Sequence, residues 1–259
     1  VEWSSPPSLD LHFESAEVGD GSPNEQLLVP EDARYGVGTL KASVGGLTGL
    51  ARVRVVPAGD YAEDFEGFEL TEKDGETPFA HPPGFWLGGR LKWDVREIDG
   101  TKALAKTLHT PLFQRAITFS GYPDTANYTL QVDIRTEGNR RTLSSAGVIH
   151  QRYLIQLKGN YRQLEISSNV ERLSQAAPFE WKPDAWYTLK TRVEADPAAP
   201  GSGFVRAKAW PRDEPEPENW TLEVPVKTVH EQGAPGLFGF APQSRFRVYV
   251  DNFRGTSND

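Results

Sequence analysis

Six polar or aromatic residues in the second half of the sequence have side chains suited to a ligand with many hydroxyl groups. They alternate with apolar residues, which places them on the polar faces of predicted strands. Carboxylates and amides can bond to neighbouring hydroxyls while an aromatic ring stacks on an apolar ligand face, which is the chemistry that a sugar requires. The alternative is an ordinary solvated sheet face, whose charges only keep the protein soluble. The candidates are His150, Arg152, Gln163, Glu165, Arg206 and Trp210.

Trp210 raises a separate question, because it stands just before the segment 211–219. That segment contains three Pro and three Glu residues and predicts an extended surface loop. A large ring on the polar side of a strand stays exposed unless something covers it. We therefore expect one of two arrangements: the loop folds back over the ring, or the ring is open to a ligand.

No recognised catalytic arrangement is found in the sequence. The motifs G-x-S-x-G and H-E-x-x-H do not occur, and the five His residues are scattered. A two-carboxylate glycosidase site needs two acidic groups on one face, and the nearest motif, Glu97-Ile98-Asp99, is followed by Gly100 without a second Glu. A hairpin turn at Asp99-Gly100 explains these residues better. No residue is therefore predicted to be catalytic.

Composition and charge limit the classes of partner. A net charge of −8 argues against nucleic acid, whose binding needs a basic face. No apolar run approaches the roughly 18–20 residues that span a bilayer. The absence of Cys excludes disulfides and thiolate sites. A cysteine-free β-rich chain suits the bacterial envelope or the cell exterior as well as the cytoplasm, and we expect an extracytoplasmic location (periplasmic, cell-surface or secreted). Because the first residue is Val1, we expect a part of a longer protein.

Short runs of Val, Ile and Leu predict an all-β fold. They are separated by 24 Gly and 20 Pro residues spread along the chain, which favours many short strands. The range 146–157 is predicted as one strand with Tyr153 opposite to His150, and 171–176 hints at a short helical turn. The breaker-rich sequence Pro57-Ala58-Gly59-Asp60 divides the chain, with 58–60 as a linker.

The sequence before this boundary resembles part of a bacterial Ig-like domain of the group-2 type. The opening "VEWSS", the hairpin sequence "TLKASVGGLTG" and the closing "ARVRVVP" carry the resemblance, which covers residues 1–57. It implies an incomplete Ig-like β-sandwich, of which residues 1–57 are the C-terminal part. Strands along one edge would then be exposed unless another chain covers them.

Residues 61–256 resemble the concanavalin A-like lectin/glucanase (laminin-G-like) superfamily. The motifs are "EDFEGF", "AWYTLKTRVE", "GAPGLFGFAP" and "RFRVYVDNF". The resemblance is to the version at the C-terminal end of planctomycete proteins that have a PQQ-type β-propeller upstream. It implies a jelly-roll β-sandwich in which the polar face of one concave sheet holds the ligand.

The same resemblance implies a structural Ca²⁺ between the first and last strands of this domain. Glu66 lies in the first strand and Asp251 in the last, and Asp64 is a further candidate ligand. Ca²⁺ takes roughly six to eight oxygen ligands and accepts both carboxylates and backbone carbonyls. The alternative is that Asp251-Asn252 only closes a turn or bonds to backbone amides.

These observations lead to one functional prediction and two alternatives. We predict a non-catalytic carbohydrate-binding or scaffolding region of a larger extracytoplasmic protein. Its expected partners are a glycan and other domains of the parent protein, without nucleic acid and without a membrane span. The first alternative is a glycoside-active enzyme of the concanavalin-like superfamily with an unusual site. The second is a purely structural spacer that packs against an upstream β-propeller.

Overall fold

The computed structural model divides the chain into two compact units. One comprises Val1–Pro57 with Pro83–Phe85, and the other Ala58–Pro82 with Trp86–Asp259. Strands dominate both units, and every strand pair among the described residues is antiparallel. The prediction of an all-β fold is confirmed. The structure describes residues 2–5, 9, 11–17, 23–30, 32–72, 75, 77–108 and 112–258.

In the part of the N-terminal unit that the structure describes, the strands form a three-stranded sheet and a separate hairpin. The sheet has the order β1-β4-β5, and β2 pairs with β3. Its apolar core is small, and Leu47 and Leu50 on β5 are 74% and 71% exposed. The identity of this unit as an Ig-like domain stays a prediction. The strands are β1 Glu2–Ser4, β2 His12–Glu17, β3 Pro23–Leu28, β4 Gly36–Val44 and β5 Leu47–Val55.

The described residues of the C-terminal unit form fourteen strands in two sheets. The first seven are β6 Tyr61–Glu63, β7 Trp93–Ile98, β8 Thr101–Lys106, β9 Arg115–Phe119, β10 Tyr128–Thr136, β11 Ser145–His150 and β12 Tyr153–Lys158. The other seven are β13 Gln163–Ser168, β14 Leu173–Pro178, β15 Trp186–Ala195, β16 Gly203–Pro211, β17 Leu222–Val226, β18 Gly236–Phe240 and β19 Val248–Ser257.

The order of the strands differs strongly from their order in the sequence. The eight-stranded sheet has the order β17-β16-β15-β10-β19-β8-β7, and β6 pairs with the end of β19. The six-stranded sheet has the order β14-β13-β12-β11-β18-β9. The last strand of the chain therefore lies inside the larger sheet, between β10 and β8.

The core of this unit lies between the inner faces of the two sheets. On β10, Leu130, Val132 and Ile134 are at most 1% exposed, and on the other sheet Val148 and Ile155 are inaccessible. Full burial of one such side chain contributes roughly 1.5–3 kcal/mol. Alternate residues on every inner strand are thereby fixed to the core, so the intervening residues must face outward.

Two hairpin turns bear on the sequence predictions. The hairpin at Asp99-Gly100 is confirmed, since Ile98 pairs with Thr101. The prediction of one strand over 146–157 is wrong, because a two-residue turn at Gln151 and Arg152 separates β11 from β12. Both turn residues have positive φ values, 44° and 73°, as a tight type I′ hairpin requires.

The prediction of a helical turn over 171–176 is also wrong. Strand β14 covers Leu173–Pro178 and pairs along its whole length with β13. Short 3-10 helices occur instead at Gly159–Tyr161 and Pro242–Ser244. Within the described ranges, no helix has both the length and the apolar character to cross a membrane.

Candidate functional site

A groove of about 550 Å³ lies over the face of the six-stranded sheet that points away from the core. All six strands of this sheet contribute to its lining. On β11, Ala146 and Val148 point into the core, so Ser145 and Gly147 belong to the outward set. The lining includes Arg115, Ser145, Gln156, Lys158, Tyr161, Glu165, Phe238 and Phe240.

The floor of the groove is a row of residues in register across four strands. Phe238 pairs with Gly147, Gly147 with Gln156, and Gln156 with Glu165. A β-carbon at Gly147 would come within 2.0 Å of the carbonyl oxygen of Ile155, so only glycine fits there. The floor thus has a polar half on β12 and β13 and an aromatic half on β18, with no side chain between them.

Glu165 is the centre of the polar half. Its carboxylate accepts hydrogen bonds from Gln156 Nε2 at 3.1 Å, Lys158 Nζ at 2.6 Å and Gln163 Nε2 at 3.4 Å. The residue is only 5% exposed, and Lys158 supplies the opposite charge that a buried carboxylate needs. These bonds fix the directions of the two amides and of the ammonium group.

An exposed aromatic ring stands beside this polar cluster. Tyr161 is 68% exposed, and Lys158 Nζ lies 4.6 Å from the centre of its ring. The 3-10 helix that ends at Tyr161 is held to β11 by a hydrogen bond from Gly159 N to Ser145 Oγ of 2.9 Å. Asn160 Oδ1 also accepts a bond from Leu143 N at 2.8 Å. The ring therefore stands on an anchored turn, as a stacking platform should.

Gln163 and Glu165 are the two predicted sugar-face residues that the structure brings together. They are on β13 beside the groove, and Arg152 is exposed at the tip of the β11–β12 hairpin. Arg206 and Trp210 are on β16 of the other sheet. The expectation of one surface with all six residues is therefore wrong, because the residues belong to different sheets.

His150 lies in the core and not on a ligand face. It is inaccessible to solvent, its Nδ1 is 2.7 Å from Thr191 Oγ1 on the opposite sheet, and its ring stacks on Tyr128 at 4.4 Å. Burial lowers the pKa of His150 to about 3, so the imidazole is neutral. The physical reason for the wrong prediction is the hairpin turn, which reverses the chain and directs His150 and its partner Tyr153 inward.

Trp210 is covered although its strand position is polar. It is 8% exposed, and Lys208 Nζ lies 6.0 Å from the centre of its ring and 5.0 Å from the ring centre of Trp220. Lys208 Nζ also donates to the carbonyl oxygen of Pro217 at 2.6 Å, and Glu216 forms ion pairs with Lys190 and Lys208. The segment 211–219 is thereby fixed on this face, as the first of the two expected arrangements requires.

Arg206 is also engaged by residues of its own sheet. It forms ion pairs with Glu194 on β15 and with Glu223 on β17. Its guanidinium carbon lies 5.1 Å from the ring centre of Phe204. These contacts match the predicted alternative for this residue, a solvated sheet face with mutually paired charges.

The three predicted calcium ligands have partners of their own. Glu66 Oε1 accepts from the backbone N of Lys102 at 2.9 Å, and Asp64 Oδ1 accepts from Glu66 N at 3.1 Å. Asp251 Oδ1 accepts from Asn252 N at 2.7 Å. In the described part of the chain, no three His, Asp or Glu side chains form a group that could hold a metal ion. A calcium ion here stays a prediction, and it would need backbone carbonyl oxygens as well.

Sequence reasoning missed Lys158, Tyr161 and Arg115 as groove residues. Lys158 and Tyr161 flank a Gly-Asn turn, and this pattern predicts no particular neighbour. Arg115 enters the groove only because β9 pairs with β18, more than a hundred positions later in the sequence. Alternation with Ile155 and Leu157 was the available signal for Gln156 and Lys158.

Comparisons with known proteins give structural likenesses only. No protein-family profile and no curated protein sequence matches the chain. A mutant of the alginate lyase Aly36B in complex with alginate trisaccharide has a TM-score of 0.46 and 9% identity, over 79% of this chain and 100% of that one. The PL-14 alginate lyase of Aplysia kurodai has a TM-score of 0.45 and 10% identity, over 67% of this chain and 89% of that one. Lectin I of Ulex europaeus, in complex with the methyl glycoside of α-L-fucose, has a TM-score of 0.44 and 12% identity, over 77% of this chain and 99% of that one.

Proposed function

We propose that the C-terminal unit is a non-catalytic carbohydrate-binding region that holds a glycan in the groove of its six-stranded sheet. The supporting observation is the Gln156–Lys158–Glu165 cluster beside the exposed ring of Tyr161. Amide, ammonium and carboxylate groups in fixed directions suit the hydroxyls of a sugar, and the ring suits its apolar face. We further propose that this region belongs to a larger extracytoplasmic protein.

One feature of the groove favours binding over hydrolysis of a glycoside. Most glycosidases use two carboxylic groups on either side of the scissile bond. Among the groove residues that the structure describes, Glu165 alone is acidic, and its oxygens already accept three hydrogen bonds. A carboxylate in this state is suited to organising its neighbours and poorly suited to attack or proton transfer.

The test is a glycan array followed by calorimetry with two matched tyrosine variants. Tyr161 lies in the groove and Tyr122 lies outside it. Because the two residues are 68% and 45% exposed, either can be replaced by Ala with little effect on folding. We expect Tyr161→Ala to weaken binding by up to about tenfold, since stacking on an aromatic ring is worth roughly 0.5–1.5 kcal/mol. Tyr122→Ala should leave the affinity unchanged.

Three outcomes would contradict the proposal. Equal losses in both tyrosine variants would place the ligand outside the groove. Products released from the glycan would favour the enzyme. Absence of binding across neutral and acidic glycans would leave the structural spacer as the better explanation.

A further inference from the structure

We infer that the glycan bound in this groove is acidic, carrying carboxylate or sulfate groups along its chain. This inference rests on the proposed function and adds the class of ligand. The charged residues that line the groove are two cations, Arg115 and Lys158, and one anion, Glu165. A ligand can pair with whichever of these charges is not already neutralised by another residue.

The negative charge of Glu165 is neutralised by side chains of the protein itself. Three side-chain donors surround its carboxylate, and the residue is 5% exposed at the floor of the groove. Because Lys158 is in direct contact with it, a ligand above the floor meets an ion pair and not a free anion. Repulsion of an acidic ligand by Glu165 is therefore weak.

Arg115 is the cation that is left for a ligand. It forms no ion pair with any residue in the described part of the chain, and it is exposed on the edge strand β9. Its guanidinium carbon lies 5.9 Å from the ring centre of Phe240, its partner in register on β18. A guanidinium group supported on a ring keeps its planar fork of donors free for a carboxylate or a sulfate.

The two cations lie at opposite ends of one row across the sheet. Arg115 pairs with Phe240 and Phe240 with Ser145, and Lys158 follows one residue beyond the Ala146–Leu157 pair. Three strand spacings of about 4.8 Å separate Arg115 from Lys158, or about 14 Å. An acidic chain that lies across the strands can meet Arg115 at one end and the Lys158–Glu165 ion pair at the other, with the ring of Phe240 and the hydroxyl of Ser145 between them.

The overall charge of −8 does not oppose this inference. Charges farther away than the Debye length, about 8 Å at physiological salt, are largely screened. The charged residues that line the groove are Arg115, Lys158 and Glu165, which together carry one net positive charge. Binding should accordingly weaken as salt is added.

The experiment measures the affinity of the whole chain for paired polymers that differ only in charge. The probes are polygalacturonate with its neutral methyl ester, and a sulfated galactan with its desulfated form. We expect the acidic member of at least one pair to bind about tenfold more tightly than its neutral counterpart. Arg115→Gln should remove most of this preference, and Arg90→Gln, at an exposed arginine outside the groove, should not change it.

Each remaining outcome has one meaning. Equal or tighter binding of the neutral polymers would overturn the acidic class and leave glycan binding in place. A preference for acidic polymers that Arg115→Gln does not alter would overturn the role of Arg115. Failure of every neutral and acidic polymer to bind would instead contradict the proposed function itself. Thermal melts of both arginine variants check that the fold is intact.

Discussion

Asp133 and Asp251 face each other in register across the neighbouring strands β10 and β19, and their exposed fractions are only 6% and 3%. The two carboxylates have different donors. Asp133 accepts from Thr188 Oγ1 at 2.7 Å and from Asn252 Nδ2 at 2.9 Å. Asp251 accepts from the backbone N of Asn252 at 2.7 Å and from its Nδ2 at 3.4 Å, and the guanidinium of Arg212 stays 4.0 Å away. Burial raises the pKa of Asp251 to about 6, and the charges of Asp133 and Glu66 act in the same direction.

This arrangement predicts that stability falls as the pH rises from about 4 to about 6. In that range the folded protein keeps the proton on Asp251 while the unfolded chain has released it, so the folded state binds more protons. The loss is on the order of 2–3 kcal/mol. Urea unfolding in chelator should show Asp251→Asn to be more stable than the parent protein at pH 8, with a flatter pH profile.

Asp133→Asn is the matched control for this prediction. It removes a charge at the same place but replaces an acceptor that Thr188 and Asn252 both use. It should therefore destabilise the protein at pH 8. If Asp251→Asn were also less stable than the parent at pH 8, the buried charge would not be the source of the cost.

A bound Ca²⁺ would require an ionised Asp251, whereas burial favours the protonated form of this carboxyl group. A Ca²⁺ ion at Asp64, Glu66 and Asp251 would bind only to the folded state, and a hundredfold excess over its dissociation constant adds about 2.7 kcal/mol. Thermal midpoints in calcium and in chelator should then differ by several degrees. Asp251→Asn should abolish the difference, and Asp213→Asn, in an exposed loop, should keep it. Coincident melts of the parent protein would remove the site.

His150 should show the opposite pH dependence to Asp251. Burial lowers the pKa of its imidazole to about 3, so below about pH 6.5 the unfolded chain binds a proton that the folded state does not. Stability is therefore lost as the pH falls. His150→Phe keeps a ring beside Tyr128 and should reduce this loss between pH 6.5 and pH 4. An imidazole NMR signal assigned to His150 that titrates near pH 6.5 in the folded protein would contradict this prediction.

Truncation of Trp210 should lower stability, whereas truncation of Tyr161 should lower glycan affinity. Trp210→Ala removes a ring that is 92% buried, and such truncations cost about 3 kcal/mol or more. The folded fraction should bind glycan as before, because Trp210 lies on the other sheet. Paired measurements of melting temperature and affinity test this. A Trp210→Ala protein that melts normally but no longer binds glycan would indicate that the ligand binds to the eight-stranded sheet.

The strand positions could be predicted to a large extent, because alternation is a local property. The hairpin at Asp99-Gly100 could be predicted for the same reason, since glycine marks a turn that needs positive φ. The turn at Gln151-Arg152 could not be recognised, because neither residue type favours that conformation. The missed turn exchanged the two faces only for residues 146–150, so His150 was predicted on the surface although it lies in the core.

The groove could be predicted only in part, because it depends on which strands are neighbours. Gln163 and Glu165 are two residues apart on one strand, so their shared face follows from the sequence alone. The contact of Arg115 with Phe240 depends on the pairing of β9 with β18, and no local pattern specifies that partner. The separation of Arg206 and Trp210 from the other candidates has the same origin.

The central place of β19 in the larger sheet has a consequence for synthesis on the ribosome. Until residues 248–257 are made, β10 and β8 have no strand between them and β6 has no partner. The first strand of this unit, β6, therefore cannot pair until the last strand is made, nearly 190 residues later in the sequence. Contacts of such long range form slowly. We expect nascent chains that stop before Val248 to remain open to protease, and the complete unit to become resistant in a single late step.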